Sequence, residues 1–187
     1  SGFNVLIESL LRYLKKNVMN KFSVVFMPDA QTIALIKEMK INLGSKCGSY
    51  KSKNALAHFT IFEFLEESSN EDKICNQLER IASEINPFTV QCTSFDYFSN
   101  NNSYTFYIKP SETSSVYMSN VMKEVLKEVT LVKKSHQTTT PHLTIGRQLS
   151  EKQLKSAKDL FKTIDLSFNV SHLTLRIYNN QIGQYEI

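Results

Sequence analysis

A short polar motif occurs twice in this sequence, each time inside an apolar run. His58-Phe59-Thr60-Ile61 and His142-Leu143-Thr144-Ile145 both read His-x-Thr-hydrophobic. Because side chains alternate faces along a β-strand, the histidine and the threonine of each motif share one face. Polar side chains on an apolar strand are costly to bury unless they line a cleft or find partners there. The motifs therefore predict two strands that present two imidazoles and two hydroxyls to one bound group.

The rest of the chain repeats around these motifs. Each half reads as a strand, a helix, a loop, a His-x-Thr strand, a second helix and a third strand. A proline precedes the first helix of each half, 30 residues before His58 and 32 residues before His142. The third strands also begin alike, as Phe88-x-Val90 and Phe168-x-Val170. A repeat in register predicts a duplicated β-α-β-α-β unit, whose two lobes bring the motif strands together at a central cleft.

Length and composition are those of one globular domain. The chain has 187 residues, of which 41% are hydrophobic and 21% charged, so disorder is not expected. We predict a single bilobal domain over residues 20–187 and an N-terminal helix or extension over residues 1–19. Apolar residues recur at helical spacing from Leu6 to Val18, and basic residues come late in this segment, which argues against a signal peptide. We expect a helix that docks on the domain; a helix on a membrane surface is the alternative.

Charge and cysteine content restrict the ligands and the cellular compartment that fit this protein. The formal charge of +4 permits an anionic ligand without requiring one. The three cysteines are odd in number and form no C-x-x-C pair, which argues against a disulfide framework or a zinc knuckle and fits a reducing cytoplasm. No stretch approaches eighteen uninterrupted apolar residues, so we predict no membrane span. We expect a cytoplasmic monomer.

These motifs resemble those of the two-histidine (2H) phosphoesterases, a superfamily that includes 2′-5′ RNA ligase-like proteins and cyclic nucleotide phosphodiesterases. Pro141-His-Leu-Thr-Ile-Gly-Arg147 is closely similar to the second motif of that family, and the resemblance covers about residues 20–180. The first motif continues as Phe62-Glu63-Phe64 where the ligase-like branch commonly has leucine and glycine, so the branch stays open. The resemblance implies an α+β, bilobal fold with two mostly antiparallel sheets around the cleft and helices outside.

The resemblance also implies a metal-independent phosphodiesterase, or a reversible 2′-5′ RNA ligase. Its substrates would be 2′,3′-cyclic phosphates or 2′-5′-linked ends, in RNA or in nucleotides, and it would need no cofactor. The catalytic residues would be His58, Thr60, His142 and Thr144. Hydrolysis requires one proton to leave the attacking water and one to reach the leaving alkoxide, and paired histidines can do both near neutral pH. The threonine hydroxyls would donate to the phosphate oxygens. We assign base and acid to the histidines jointly.

Further residues around the motifs are candidates for binding substrate. These are Arg147, Tyr50, Lys53 and Phe22. The arginine resembles the one that follows the family's second motif and would pair with a phosphate, and the two aromatic residues would stack on bases. The lysine belongs to a basic loop over residues 44–54, and a second basic loop over 133–141 precedes the other motif. Together these loops would form a positive rim for an RNA backbone.

Two other functions stay open. An RNA-end binding module with little turnover would keep this fold, although intact histidines and threonines in both motifs argue against it. A small-molecule cyclic phosphoesterase outside RNA metabolism would differ in its rim loops. A third His-x-Thr, His172-Leu173-Thr174, aligns in the repeat with Cys92 and not with a motif, so we interpret His172 as an ordinary strand histidine. We interpret His136, in the second basic loop, as a solvated loop residue.

Overall fold

The computed structural model describes residues 18–187 as two β-sheets with helices packed against them. The strands of this part of the chain are β1 (Met19–Phe26), β2 (Phe59–Glu67), β3 (Phe88–Asn100), β4 (Ser103–Pro110), β5 (Lys134–Gln137), β6 (Leu143–Leu149), β7 (Leu166–Val170), β8 (Leu173–Asn179) and β9 (Gln184–Glu186). Its α-helices are α1 (Ala30–Cys47), α2 (Glu71–Ser83), α3 (Glu112–Glu128) and α4 (Glu151–Leu160). The predicted N-terminal helix lies outside the described residues, and Met19 already belongs to β1.

Both sheets are antiparallel throughout. One has the strand order β5-β2-β1-β8-β9 and the other has the order β6-β4-β3-β7, and every described pairing is antiparallel. The motif strands β2 and β6 therefore lie in different sheets, one in each lobe. This confirms the predicted α+β fold with two antiparallel sheets.

Strands of the two halves of the chain cross between the two sheets. β3 ends the first half but lies in the sheet of the second half, between β4 and β7. In return, the chain leaves β7 and continues as β8 beside β1, in the sheet of the first half. Helix α1 likewise packs beside α4 and reaches β6. Neither lobe has a complete sheet without the other half. The single domain over residues 20–187 stays a prediction.

Alternation along β1 separates a core face from a cleft face. Phe22, Val24 and Phe26 belong to the hydrophobic core, whereas Ser23 and Val25 between them point the other way. Aromatic contacts are frequent in that core: Phe22 stacks on Phe64 with ring centroids 5.1 Å apart. Buried aromatic rings contribute large apolar areas, so this layer fixes the sheet against its helices and leaves the opposite face for the site.

Two helix boundaries show how local side chains set the elements. Asp29 accepts a hydrogen bond of 2.8 Å from the Thr32 backbone N–H, which caps the start of α1. The helix continues past Gly44 to a cap at Gly48 with φ of 81°. At Gly44 the helix passes close to the Lys53 side chain, because a Cβ there would come within 2.7 Å of it. A capping box formed by Ser150 and Gln153 starts α4.

The second basic loop contains an edge strand that the sequence analysis missed. Residues 133–141 were predicted as loop, but β5 pairs with β2 at the end of the sheet. His136 lies opposite Glu63 in this pairing, so it is a strand residue and not a loop residue. The strand carries the polar sequence Lys-Ser-His-Gln, which has no apolar alternation. Edge strands are often charged or polar, and the usual sequence signal of a strand is therefore absent.

Gly146 is packed tightly in β6, and replacing it should destabilise the fold. A Cβ there would lie 2.9 Å from Leu149 Cδ2, and Leu149 is fully buried. We expect Gly146→Ala to lower the free energy of unfolding by about 1–3 kcal/mol, measured by urea denaturation. Leu149→Val shortens the side chain that the new methyl meets, so the double variant should lose less than the sum of the single losses. Simple additivity would contradict this contact.

Candidate active site

The structure brings the two motifs from different sheets to one cleft. His58 directly precedes β2 and His142 directly precedes β6. The four motif side chains, including Thr60 and Thr144, are all half-buried, whereas the residues between them are buried in the core. His142 is close enough to His58 for its positive charge to contribute to lowering the pKa of His58. The two imidazoles therefore lie near each other, and each motif threonine lies two residues along the strand from its histidine.

The loop before each motif is tied to the strand of the other motif. The Arg147 N–H on β6 donates to the Lys51 carbonyl, 3.2 Å away, in the loop that leads to His58. The Thr138 N–H, in the loop that leads to His142, donates to the Ile61 carbonyl on β2 at 2.9 Å. These reciprocal backbone hydrogen bonds explain how motifs from two sheets keep a fixed relative position.

Both motif histidines are held by the same hydrogen bond. His58 Nδ1 lies 2.6 Å from the Leu56 carbonyl oxygen, and His142 Nδ1 lies 2.8 Å from the Thr140 carbonyl oxygen. A carbonyl can only accept, so Nδ1 carries a proton in each ring. In the neutral imidazole, Nε2 is then the nitrogen that can accept a proton. The repeat thus presents two Nε2 atoms of the same tautomer.

Burial keeps both imidazoles uncharged at neutral pH. The pKa of His58 lies well below its ordinary value of 6.5, chiefly because burial disfavours the charged ring and then because Arg176 is nearby. The pKa of His142 is also lowered, first by burial and then by His136, while the Thr140 carbonyl opposes the shift. The buried cations that act on His58 are Arg176 and Lys40, and they have no such effect on His142.

Two aromatic side chains that the sequence analysis did not select form a wall beside His142. Phe98 stacks on Tyr107 with centroids 4.5 Å apart, and both rings meet the imidazole edge-on, at 5.1 Å and 5.6 Å. Phe98 is half-buried, so one part of its ring is accessible from the cleft. The sequence alone does not indicate this wall, because its position depends on the pairing of β3 with β4, in which Asp96 lies opposite Tyr107.

A bulge in β6 turns Arg147 toward the cleft. Residues opposite each other in a ladder share a face, and Thr144 lies opposite Tyr107, whereas Gly146 lies opposite Phe106 on the core face. The extra residue between these pairs shifts the alternation by one. Arg147 therefore shares the face of Thr144, and its side chain is exposed. A regular strand would have placed it on the core face.

The remaining binding candidates are placed differently from the prediction. Phe22 is 1% exposed and belongs to the core, so its assignment as a base-stacking platform was wrong. Tyr50 packs against the core, and its hydroxyl donates to the Lys40 carbonyl at 2.9 Å, which fixes it as a structural contact. Lys53 is half-buried and its aliphatic stem lies over Gly44. Only part of this side chain is therefore available to a positively charged rim of the cleft.

Other features of the described residues lie away from this cleft. A groove of about 580 Å³ between α2 and α3 is lined by side chains such as Ile81 and Val125, and it includes no motif residue. Within residues 18–187, no group of three or more His, Cys, Asp or Glu side chains is arranged to hold a metal ion. No helix in that range is both long and apolar enough to cross a membrane.

The lowered histidine pKa values make stability depend on pH. Below about pH 6.5 the unfolded chain takes up protons that folded His58 and His142 resist, so stability is complete above this pH and falls below it. We expect the free energy of unfolding to decrease from about pH 7.5 to about pH 5 in urea titrations. His58→Gln should reduce this decrease, whereas His172→Gln, at an exposed histidine, should not. The same pH dependence of the unfolding free energy in the wild type, His58→Gln and His172→Gln would contradict a buried neutral imidazole at His58.

Comparisons with solved structures agree with this fold. E. coli LigT complexed with 3′-AMP matches with a TM-score of 0.57 and 16% identity, over 90% of this chain and 94% of that chain. LigT in its apo form matches with a TM-score of 0.53 and 18% identity, over 90% and 92% of the two chains. A structure described as a phosphoesterase matches with a TM-score of 0.53 and 16% identity, over 89% and 93%. At such identities the likeness concerns the fold.

The family follows from the sequence itself. Comparison with curated protein sequences gives no match. The model of the 2′-5′ RNA ligase superfamily matches residues 27–182, a span that includes strands β2 to β8, both motif histidines and the aromatic wall. Since this match extends over most of the chain, the protein belongs to the 2′-5′ RNA ligase superfamily, a family of 2H phosphoesterases.

Proposed function

We propose that this protein is a metal-independent phosphodiesterase that acts on 2′,3′-cyclic phosphates or 2′-5′ linkages at RNA ends or in nucleotides. The observation that carries the proposal is the matched pair of imidazoles. His58 and His142 are each fixed through Nδ1 to the carbonyl two residues earlier, which leaves Nε2 of each ring as the nitrogen available for proton transfer. Membership of a phosphoesterase family supports the same reaction class.

The pair can supply both proton transfers of the reaction. One Nε2 accepts the proton of the water that attacks phosphorus, and the other, in its protonated form, gives a proton to the leaving 2′ or 3′ oxygen. Both rings are neutral in the free protein, because burial lowers the pKa of His58 and of His142. A bound phosphate anion favours the charged ring, so substrate binding itself brings one imidazole to its acid form.

The motif threonines are positioned to bind the phosphate oxygens. Thr60 and Thr144 lie two residues after the histidines on the same strand faces, and both are half-buried. Among the hydrogen bonds of residues 18–187, neither hydroxyl has a protein partner, so both are free to donate to a ligand. Donors aimed at the non-bridging oxygens stabilise the charge that develops there during displacement.

The walls of the cleft favour a nucleotide over a simple phosphodiester. Phe98 offers a ring face beside His142, and an aromatic face can stack on any base. Arg147 lies on the cleft face of β6, where a guanidinium can pair with a phosphate. The LigT structure with 3′-AMP shows that this fold accommodates a nucleotide with a 3′-phosphate in that protein. We therefore place RNA ends and cyclic nucleotides ahead of substrates that lack a base.

Removal of either motif histidine should abolish turnover without unfolding the protein. We expect His58→Ala and His142→Ala each to lower kcat on nucleoside 2′,3′-cyclic monophosphates by about 10²–10⁴, because each removes one proton transfer. His172→Ala is the matched control, since its side chain is exposed, and it should keep wild-type activity. The assay is run in EDTA, and the product phosphate is assigned to the 2′ or 3′ position by NMR.

Three outcomes separate the competing functions. Wild-type activity in both motif variants would disprove the mechanism, and loss of activity in EDTA with recovery on adding metal would disprove metal independence. Tight binding of RNA ends without any turnover would favour the binding module. Turnover of cyclic phosphates that lack a base, in preference to nucleotides, would favour the small-molecule phosphoesterase.

The aromatic wall should contribute to nucleotide binding through the base. We expect Phe98→Ala to raise KM for a nucleoside 2′,3′-cyclic monophosphate by about tenfold, because base stacking is worth about 1–3 kcal/mol. Phe98→Leu, which keeps apolar bulk without a ring, should show most of this loss. KM for a methyl riboside 2′,3′-cyclic phosphate, which has no base, should not change.

Tyr97 provides the control for this experiment. It is the neighbouring aromatic residue on β3, is 40% exposed, and lies on the opposite face of the sheet against Lys158. Tyr97→Ala should leave both KM values unchanged. An equal effect of Phe98→Ala on the substrates with and without a base would contradict a stacking role and indicate that the ring only supports His142.

A further inference from the structure

A buried arginine lies on the cleft face of the first sheet. Arg176, on β8, is 3% exposed and donates a hydrogen bond of 3.1 Å to the hydroxyl of Ser23. Ser23 lies opposite Arg176, and two residues further along β1, Val25 lies opposite both Thr60 and Thr174. Opposed residues share a face, so Arg176 projects from the same face as the first motif threonine.

This guanidinium is only partly satisfied. Its Nε atom is buried and has no hydrogen-bond partner among the described residues. The Tyr185 ring covers it, with the guanidinium carbon 4.9 Å from the ring centroid. The carboxylate that acts on it, Glu63, is already in a salt bridge of 2.9 Å with Lys21. An unpaired buried cation is costly, which makes an anionic partner at this position strongly favourable.

A second buried cation lies near the first. Lys40, on α1, is 1% exposed and donates to the carbonyls of Ser52 and Ala55 at 3.3 Å and 2.7 Å. Within residues 18–187, neither Lys40 nor Arg176 takes part in a salt bridge. Burial is the first cause that lowers the pKa of Lys40 to about 8 and of Arg176 to about 10, so both groups stay protonated at neutral pH.

Several charged groups face His58 from the elements around it. Arg176 acts from β8, Lys40 from α1 and His142 from the start of β6, and all three disfavour a charged imidazole. The Leu56 carbonyl is the group that opposes them through its hydrogen bond. The fixed cations Arg176 and Lys40 therefore place positive charge near His58, and a negative group in the space between the motifs would be stabilised by them.

We propose that Arg176, supported by Lys40, is the fixed positive charge of a phosphate subsite beside the first motif. The ligand class is a phosphate ester anion, and the inference rests on the proposed function for the identity of that ester. Arg176 is a positioning residue here, because its buried side chain acts through the field at the phosphate and at His58. Arg147, at the exposed rim, makes a separate contribution to the binding of the phosphate ester.

Phosphate binding and folding stability together test this role. We expect Arg176→Met to weaken the binding of inorganic phosphate by about tenfold or more in calorimetric titration of the full chain, because an unpaired buried cation is removed. Its Tm without phosphate should equal or exceed that of the wild type, since an apolar side chain replaces a buried charge. Lys155→Met, at an exposed lysine of α4, is the control for the loss of one charge and should bind phosphate normally.

The titration of His58, followed by NMR, gives a second readout. In Arg176→Met the pKa of His58 should move upward, and in Arg176→Lys, which retains a cation, it should stay near the wild-type value. A lower Tm in Arg176→Met with unchanged phosphate affinity and unchanged His58 titration would show a purely structural role and overturn the proposal. If that variant does not fold, Lys40→Met must show the same two changes in the same directions, or the proposal fails.

Neither readout requires turnover, so the two proposals can fail separately. If no substrate is hydrolysed but phosphate affinity depends on Arg176, the subsite stands and the proposed enzyme activity fails. If Arg176→Met hydrolyses cyclic nucleotides with the kcat/KM and the pH profile of the wild type, the enzyme activity stands and the subsite fails.

Discussion

The hydrogen bond from each motif histidine to a backbone carbonyl is the interaction on which the candidate site depends. His58 is held by Leu56 and His142 by Thr140, with the same two-residue offset. This bond selects the tautomer, fixes the plane of the ring and directs Nε2 into the cleft. It requires an extended approach to each strand, so the loops before the motifs must be held as firmly as the strands themselves.

The fold meets this requirement with hydrogen bonds that fix both loops, some within one half of the chain and some between the halves. Lys40 binds the Ala55 carbonyl just before the first motif, and the Thr138 hydroxyl accepts a hydrogen bond from the Thr140 N–H just before the second. The backbone ties from Lys51 to β6 and from Thr138 to β2 cross between the lobes. The crossing of β3 into the second sheet and of β8 into the first adds a covalent connection between the lobes. A site made from two sheets can then be as rigid as a site made from one.

Sequence reasoning was able to predict the features that depend on alternation and repetition. The two motifs, their common face and the two-lobed fold all follow from period-two patterning. The same rule could have excluded Phe22, because it alternates with Ser23 along β1 and therefore lies on the face opposite the polar residue. It could also have drawn attention to Arg176, which follows Thr174 by two residues on a strand of alternating polarity.

Features that depend on a change of register could not be predicted in this way. The bulge in β6 turns Arg147 to the cleft, and nothing in Thr-Ile-Gly-Arg indicates where an extra residue enters the ladder. The edge strand β5 was missed because its exposed, polar sequence looks like a loop. The aromatic wall needed the pairing of β3 with β4 to place Phe98 beside His142.

In the proposed reaction, the charges around the cleft would give the two histidines different tasks. Burial lowers the pKa of both, and the fixed cations Arg176 and Lys40 act in addition on His58. With a phosphate anion bound, His142 would then take up a proton more readily, and His58 would remain the base. Substrate binding would be coupled to the uptake of one proton from solvent. The free protein has no need to maintain an imidazolium in a positively charged cleft, because the substrate provides the charge that stabilises it.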